Sequence, residues 1–470
     1  MNPTDLAFAS ALEQAQLIRQ RQVSPLELVE LYLERIQRLD PQLGSYFTVI
    51  SEQALAEAKA KTEQLAQIDD PSQLPPFFGV PIAIKDLNAV AGIRHTYGTP
   101  VLMNKIAGYS DGVVMRIQGA GFTLLGKTAT SELGSLPYID QAGFPPTRNP
   151  WNLDYSAGGS SGGAAAAVAA GLAPLAQGSD GGGSVRGPAF CCGLVGIKPT
   201  RGRVSYAPVG DYQNGIATNG TLARTVADAA ALLDVMSGYI TGDPYWLPNP
   251  ETSFLEATRQ APAQLRIGFS TSVQPVGEAT EICQQAVRET VQLLEDMGHT
   301  IVESGFPDCT DLIEPFKTVW QAGIAASGIP KEVLSPMNCW IAEQSGSAGE
   351  YLQAVHQMQI MARRIVGFVE TFDVLVLPTY MHPQIRVGEW ANLSPEETLE
   401  KIMAWIAPCP PFNASGLPAI AIPTGFDNST GLPMGVQLVG RPAAEATLIA
   451  VAAQLEAAKP WSQHRPAFAL

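Results

Sequence analysis

Apolar positions recur at helical spacing over residues 4–20, and Ser24, Pro25 and Glu27 follow as cap, first-turn proline and capping-box acid. Two helices are therefore expected to open the chain. A third is predicted over residues 51–66, after which DDPSQLPP reads as an exposed turn into the apolar run FFGVPIAIK, a buried strand ending at Lys85. The alternation repeats: residues 112–121 form a helix leading into FTLLGKT, and GGSSGG passes through AAAAVAAGLA into PLAQGSD. Residues 223–236 read as an amphipathic helix, LRIGFS at 265–270 as a strand and 276–296 as a helix. FDVLVLP reads as a central strand, and PAIAIP and GVQLVG as adjacent ones before a closing helix around 443–457. Buried strands alternating with helices predict an α/β protein whose sheet is covered on both sides. Residues 304–368 are helical and rich in long side chains, as in an addition covering one edge of the site. No long polar linker divides the chain, so 1–470 is expected to be one domain.

Composition narrows the function. Of 470 residues, 46% are hydrophobic and 16% charged, which suits a large globular core. The formal charge of −15, with no basic block against it, argues against direct binding of nucleic acid. Six scattered cysteines form no CxxC pair, and the five histidines form no HExxH, so neither a metal nor an organic cofactor is expected. The N-terminus lacks the order of a secretory signal, and no apolar stretch reaches the roughly 20 residues that span a bilayer. A cytoplasmic protein without a membrane partner is the expectation, with a small molecule as its partner and a homodimer left open.

Candidate chemistry concentrates between residues 156 and 199. GGSSGG flows directly into an Ala-rich helix, and the chain returns through a second Gly-rich turn, GSDGGGS, ending at Ser184. Glycines let consecutive N–H groups converge, so the amides of Gly181, Gly182, Gly183 and Ser184 are candidates for an oxyanion hole beside a Ser184 nucleophile. Ser184 does not form the GxSxG elbow, and neither His95 nor His382 has a neighbouring pattern that makes it the base. Lys85, delivered by a buried strand, is either a desolvated base or a lysine lying along an apolar wall. Cys191 and Cys192 precede GLVG and read as packing residues. Trp151, Tyr155, Tyr138 and Phe144 are candidates for the site's entrance or for the core, and Trp320 and Trp340 for a pocket formed within 304–410.

Together, GVPIAIKDLN at 79–88, AGFTLLGKT at 120–128, TRNPWNLDYSAGGSSGG at 147–163, GSDGGGSVRGPA at 178–189 and GLVGIKPTRGRVS at 193–205 resemble the amidase signature family. PFNASGLPAIAIPTG at 411–425 and GLPMGVQLVG at 431–440 extend the resemblance over most of the chain. It implies a mixed sheet of about 11 strands and a catalytic set of Lys85 as base, Ser160 as cis-peptide relay and Ser184 as nucleophile. It also implies supporting roles for Ser161, Asp180 and Arg186. The activity so implied is hydrolysis of a carboxamide or short amide-linked substrate, with a looser likeness to hydrolases of aminohexanoate oligomers. The alternatives are a glutamine-hydrolysing subunit that passes ammonia to a partner acting on aminoacyl-tRNA, and an inactive scaffold on the same fold.

Overall fold

The computed structural model describes residues 1–211 and 213–470. Eleven strands form one mixed sheet. Across it run Tyr46–Val49, Thr123–Thr128, Pro81–Lys85, Leu175–Asp180, Thr218–Ala223, Val195–Lys198, Ala419–Phe426, Pro433–Gly440, Val374–Pro378, Arg266–Phe269 and Thr300–Glu303. PAIAIP and GVQLVG are antiparallel neighbours, with Ile420 opposite Leu438.

The period of two along Pro81–Lys85 decides what each residue meets. Ile82 and Ile84 join the core beneath helices Val226–Met236, Glu281–Asp296 and Glu445–Ala458. Ala83 points the other way, into the core shared with the helices Gly162–Ala169 and Arg186–Cys192. Lys85 follows Ala83 in phase, so its stem is directed towards the start of the Ala-rich helix. All eight residues of Gly162–Ala169 are buried, and their small side chains allow that helix to lie close against the sheet.

Three helices, not two, open the chain: Pro3–Ala7, Ala11–Arg19 and Pro25–Leu43. The expected first helix breaks at Ser10, whose hydroxyl caps Glu13 N, while the distant Asp228 carboxylate accepts the Ala11 and Leu12 amides at 2.8 and 3.0 Å. The Ser24/Glu27 capping box is formed. The helix expected over 276–296 starts at Glu281, because a two-stranded ribbon, Ser272–Val273 with Gly277–Glu278, takes its first residues. Residues 304–368 supply Thr310–Ala325, Pro336–Glu343 and most of Ala348–Val369. A further helix, Pro395–Ile406, has its own Ser394/Glu397 capping box. No helix among the described residues is long and apolar enough to cross a membrane.

Candidate active site

Strand Pro81–Lys85 ends with the Lys85 amine fully buried. Its Nζ lies 2.7 Å from Ser160 Oγ, 2.9 Å from Ser161 Oγ and 3.0 Å from Ser179 Oγ, with the Ser179 carbonyl at 3.3 Å. No carboxylate among the described residues bonds the amine directly. Burial therefore dominates and pulls its pKa down to about 7, with the negative charge of Asp180 pulling the other way. A lysine with this affinity is neutral in a large fraction of molecules near pH 7, so it can take a proton from a neighbouring hydroxyl.

Ser160 is held by the turn before the Ala-rich helix, where the Gly159–Ser160 peptide bond is cis. Gly159 is required by space: a Cβ there would stand 2.5 Å from Tyr138 N. Ser161 touches Lys85 itself, and its hydroxyl accepts the Ser179 amide at 3.2 Å. Its amide donates to the Ser184 carbonyl at 3.2 Å, which ties the cis turn to the Gly-rich loop.

That loop joins strand Leu175–Asp180 to helix Arg186–Cys192, and Ser184 sits in it partly exposed. Ser184 Oγ makes no hydrogen bond with another described residue, which leaves it free for a substrate carbon. The Asp180 carboxylate shapes the loop by accepting the amides of Gly183 at 2.8 Å, Val185 at 3.1 Å and Arg186 at 3.3 Å. The Gly183 N–H, one of the four amides expected to face an oxyanion, thus donates to Asp180 in this structure. The amides of Gly181, Gly182 and Ser184 have no partner among the described residues and remain as donors. Gly183 itself has φ of 115°, and a Cβ on it would lie 2.8 Å from that of Cys409.

Asp180 and Arg186 form a fully buried pair at 2.9 Å. Burial alone would raise the Asp180 carboxyl, but the Arg186 guanidinium and its hydrogen bonds hold it well below the usual carboxylate range. Burial likewise opposes the charge on Arg186, and Asp180 outweighs it. Two residues from the far end of the chain complete the cluster. Asn413 accepts from Arg186 at 2.6 Å and donates to Asp180 at 2.9 Å, and Gln437 Oε1 accepts from Arg186 at 3.0 Å. Sequence reasoning missed Ser179, Asn413 and Gln437, although each lies inside a quoted motif. Because Arg186→Met strands a buried carboxylate, it is expected to cost about 3–5 kcal/mol, read as a shift of the urea midpoint at constant slope.

Ser184 opens into a cavity of about 170 Å³. Leu312, Phe316, Trp320, Leu399, Ile402 and Met403 supply much of its apolar wall. Trp340 does not line it and packs beside Ile324, Leu334 and Ile341. The four aromatics left open between entrance and core, Trp151, Tyr155, Tyr138 and Phe144, do not line this cavity. Trp151 tilts against Phe426, Phe144 stacks on Phe47, Tyr138 meets the edge of Trp390 and Tyr155 lies under Arg386. Cys191 and Cys192 are buried, and burial pushes both thiols up, away from the thiolate. His95 stacks on Tyr97 and His382 on Trp405, neither reaching Ser184. Among the described residues, no group of three or more His, Cys, Asp or Glu side chains could hold a metal ion.

The Amidase family model matches residues 27–449, and the chain belongs to the amidase signature family of hydrolases. A Synechocystis sp. protein that carries a provisional amidase name is 56% identical over 96% of this chain and 89% of its own. The 6-aminohexanoate-cyclic-dimer hydrolase of Paenarthrobacter ureafaciens is 34% identical over 99% of this chain and 98% of its own. A solved structure of 6-aminohexanoate cyclic dimer hydrolase superposes with a TM-score of 0.91 at 32% identity, covering 98% of this chain and 99% of that one.

Proposed function

We propose that this enzyme hydrolyses an uncharged, largely apolar carboxamide through a Ser184 acyl-enzyme, with Ser160 as relay and Lys85 as base. The observation that carries the reading is the Lys85 amine, fully buried and 2.7 Å from Ser160 Oγ. Ser184 Oγ bonds to the amide carbon as its proton passes to Ser160, which it must approach to hydrogen-bond reach in the substrate complex, and the Ser160 proton to Lys85. The Gly181, Gly182 and Ser184 amides stabilise the oxyanion. The relay then runs backwards: the C–N bond breaks as the departing nitrogen takes the proton, and ammonia or an amine leaves. Water attacks the ester by the same route, releasing a carboxylic acid and restoring Ser184.

Asp180 and Arg186 position the loop through their buried cluster and take no bond-making step. The cavity wall favours this reading over the glutamine-hydrolysing one. Lys317 is its one charged lining residue among those described, and Glu314 already engages it at 3.1 Å. The ammonium and carboxylate of free glutamine would then find no unengaged charged partner on a largely apolar wall, a costly burial. We also read the chain as one catalytic domain, since one sheet collects strands from Tyr46 to Gly440.

The pH profile tests the lysine. Protonated Lys85 cannot act as base, so kcat/KM for a neutral amide is expected to rise with pH along a limb whose midpoint lies at about 7. Below that midpoint the fall approaches tenfold per pH unit. A profile flat from pH 5 to 8 would defeat the assignment.

A further inference from the structure

Gln213 is among the polar side chains of the cavity wall to which the mechanism above gives no task. Gln213 lines the cavity, half-buried, and its side-chain amide makes no hydrogen bond with another described residue. One glycine makes room for it and another lies in ordinary contact with it. A Cβ on Gly181, the first amide of the oxyanion nest, would lie 3.5 Å from Gln213 Oε1, and one on Gly323 would lie only 2.7 Å from Nε2. The amide therefore sits between the nest and the helix Thr310–Ala325, against a helical glycine that leaves space for it.

The loop is built to hold it there. Gln213 and Asn214 have φ of 53° and 55°, in the left-handed region that non-glycine residues rarely occupy, and Gly215 follows at 72°. Asp211 Oδ1 accepts the Gly215 amide at 2.7 Å, and Arg201 Nε donates to the Gly215 carbonyl at 2.6 Å. The same Arg201 donates to the carbonyls of Asn413 and Ala414 at 3.0 and 2.8 Å, which fastens the loop to the cluster around Asp180. A backbone held in a sparsely populated conformation by several partners points to a functional constraint on what it presents.

Resting on the proposed amide hydrolysis, we propose that Gln213 is a specificity-determining residue that hydrogen-bonds a second amide of the substrate, selecting uncharged molecules with an amide beyond the scissile one. A primary carboxamide offers a donor and an acceptor in one plane, and another amide matches both. An anionic or cationic group would satisfy only one of them and would face an apolar wall. A substrate lacking the second amide leaves both Gln213 groups unpaired as the cavity fills, and sites that hydrogen-bond their substrate discriminate on that basis.

The test compares kcat/KM within two matched pairs, which place the second amide on the acyl side or the leaving side. The pairs are hexanamide with 6-acetamidohexanamide, and N-butylhexanamide with N-(4-acetamidobutyl)hexanamide. In at least one pair the wild-type enzyme is expected to favour the diamide by about 10-fold. Q213L should bring that ratio to about one. G323A should do the same without removing the amide, since its Cβ displaces the Gln213 side chain; alanine suits the helix and keeps the test available if Q213L misfolds. A wild-type ratio near one in both pairs, or a ratio surviving in folded Q213L and in G323A, overturns the inference and leaves the hydrolase reading standing. If none of the four amides is turned over in a Ser184-dependent way, the hydrolase reading falls and this inference with it.

Discussion

Ser184→Ala is expected to lower amide turnover by roughly 10⁴-fold or more, because it removes the atom that forms the acyl bond. The fold should survive. Ser184 Oγ has no hydrogen bond to lose among the described residues, and the loop is held by Asp180 through the amides of Gly183, Val185 and Arg186. The urea midpoint should therefore stay near the wild-type value while turnover disappears. A fluorophosphonate probe should label wild-type protein at Ser184, and peptide mapping should find no label at that position in the variant. Retained wild-type turnover in S184A would sink the nucleophile assignment. Labelling at Cys191 or Cys192 would contradict the burial that raises both thiols.

Lys85→Met is expected to slow acylation by about 10³-fold, within the range general base catalysis supplies. Methionine keeps much of the apolar stem but deletes the amine that contacts Ser160, Ser161 and Ser179. Stopped-flow measurement of the acylation burst reads this directly. A near-wild-type burst in folded K85M would defeat the lysine mechanism. Stability gives a second readout with a definite sign. The Lys85 pKa falls from 10.5 to about 7 on folding, so between those values the unfolded chain binds the additional proton. Wild-type stability should therefore rise with pH across that window, and K85M should show a shallower rise. Equal slopes would mean that the amine is not desolvated as the structure shows.

The contrast between Lys85 and its neighbours shows how far local pattern reaches. The run PIAIK identifies a buried strand from five consecutive apolar or stem-burying residues, and its phase places Lys85 with Ala83. The Ser24/Glu27 capping box was legible because both partners lie within one turn. The helix Pro395–Ile406 is equally capped by Ser394 and Glu397, yet it lies in a stretch for which the sequence predicts pocket residues and no element. The early break at Ser10 carries a local signal in the Ser10/Glu13 cap, whereas the bonds from Ala11 and Leu12 to Asp228 that reinforce it are invisible to any window along the sequence.

By itself the sequence determined the alternation of buried strands and helices, the membership motifs, and which lysine and serines stand at strand ends and Gly-rich turns. These are properties of residue type and short spacing, which act through backbone conformation and burial period. Tertiary structure alone decided what those residues meet. It set Ser179 beside the Lys85 amine and brought Asn413 and Gln437 to the Asp180–Arg186 pair. It also assembled the cavity from residues 134–137, 273–276, 309–320 and 399–411. The physical reason is common to all three: these hydrogen-bond and cavity partners are fixed by how the sheet and its helices pack, and their distance along the chain carries no information about contact.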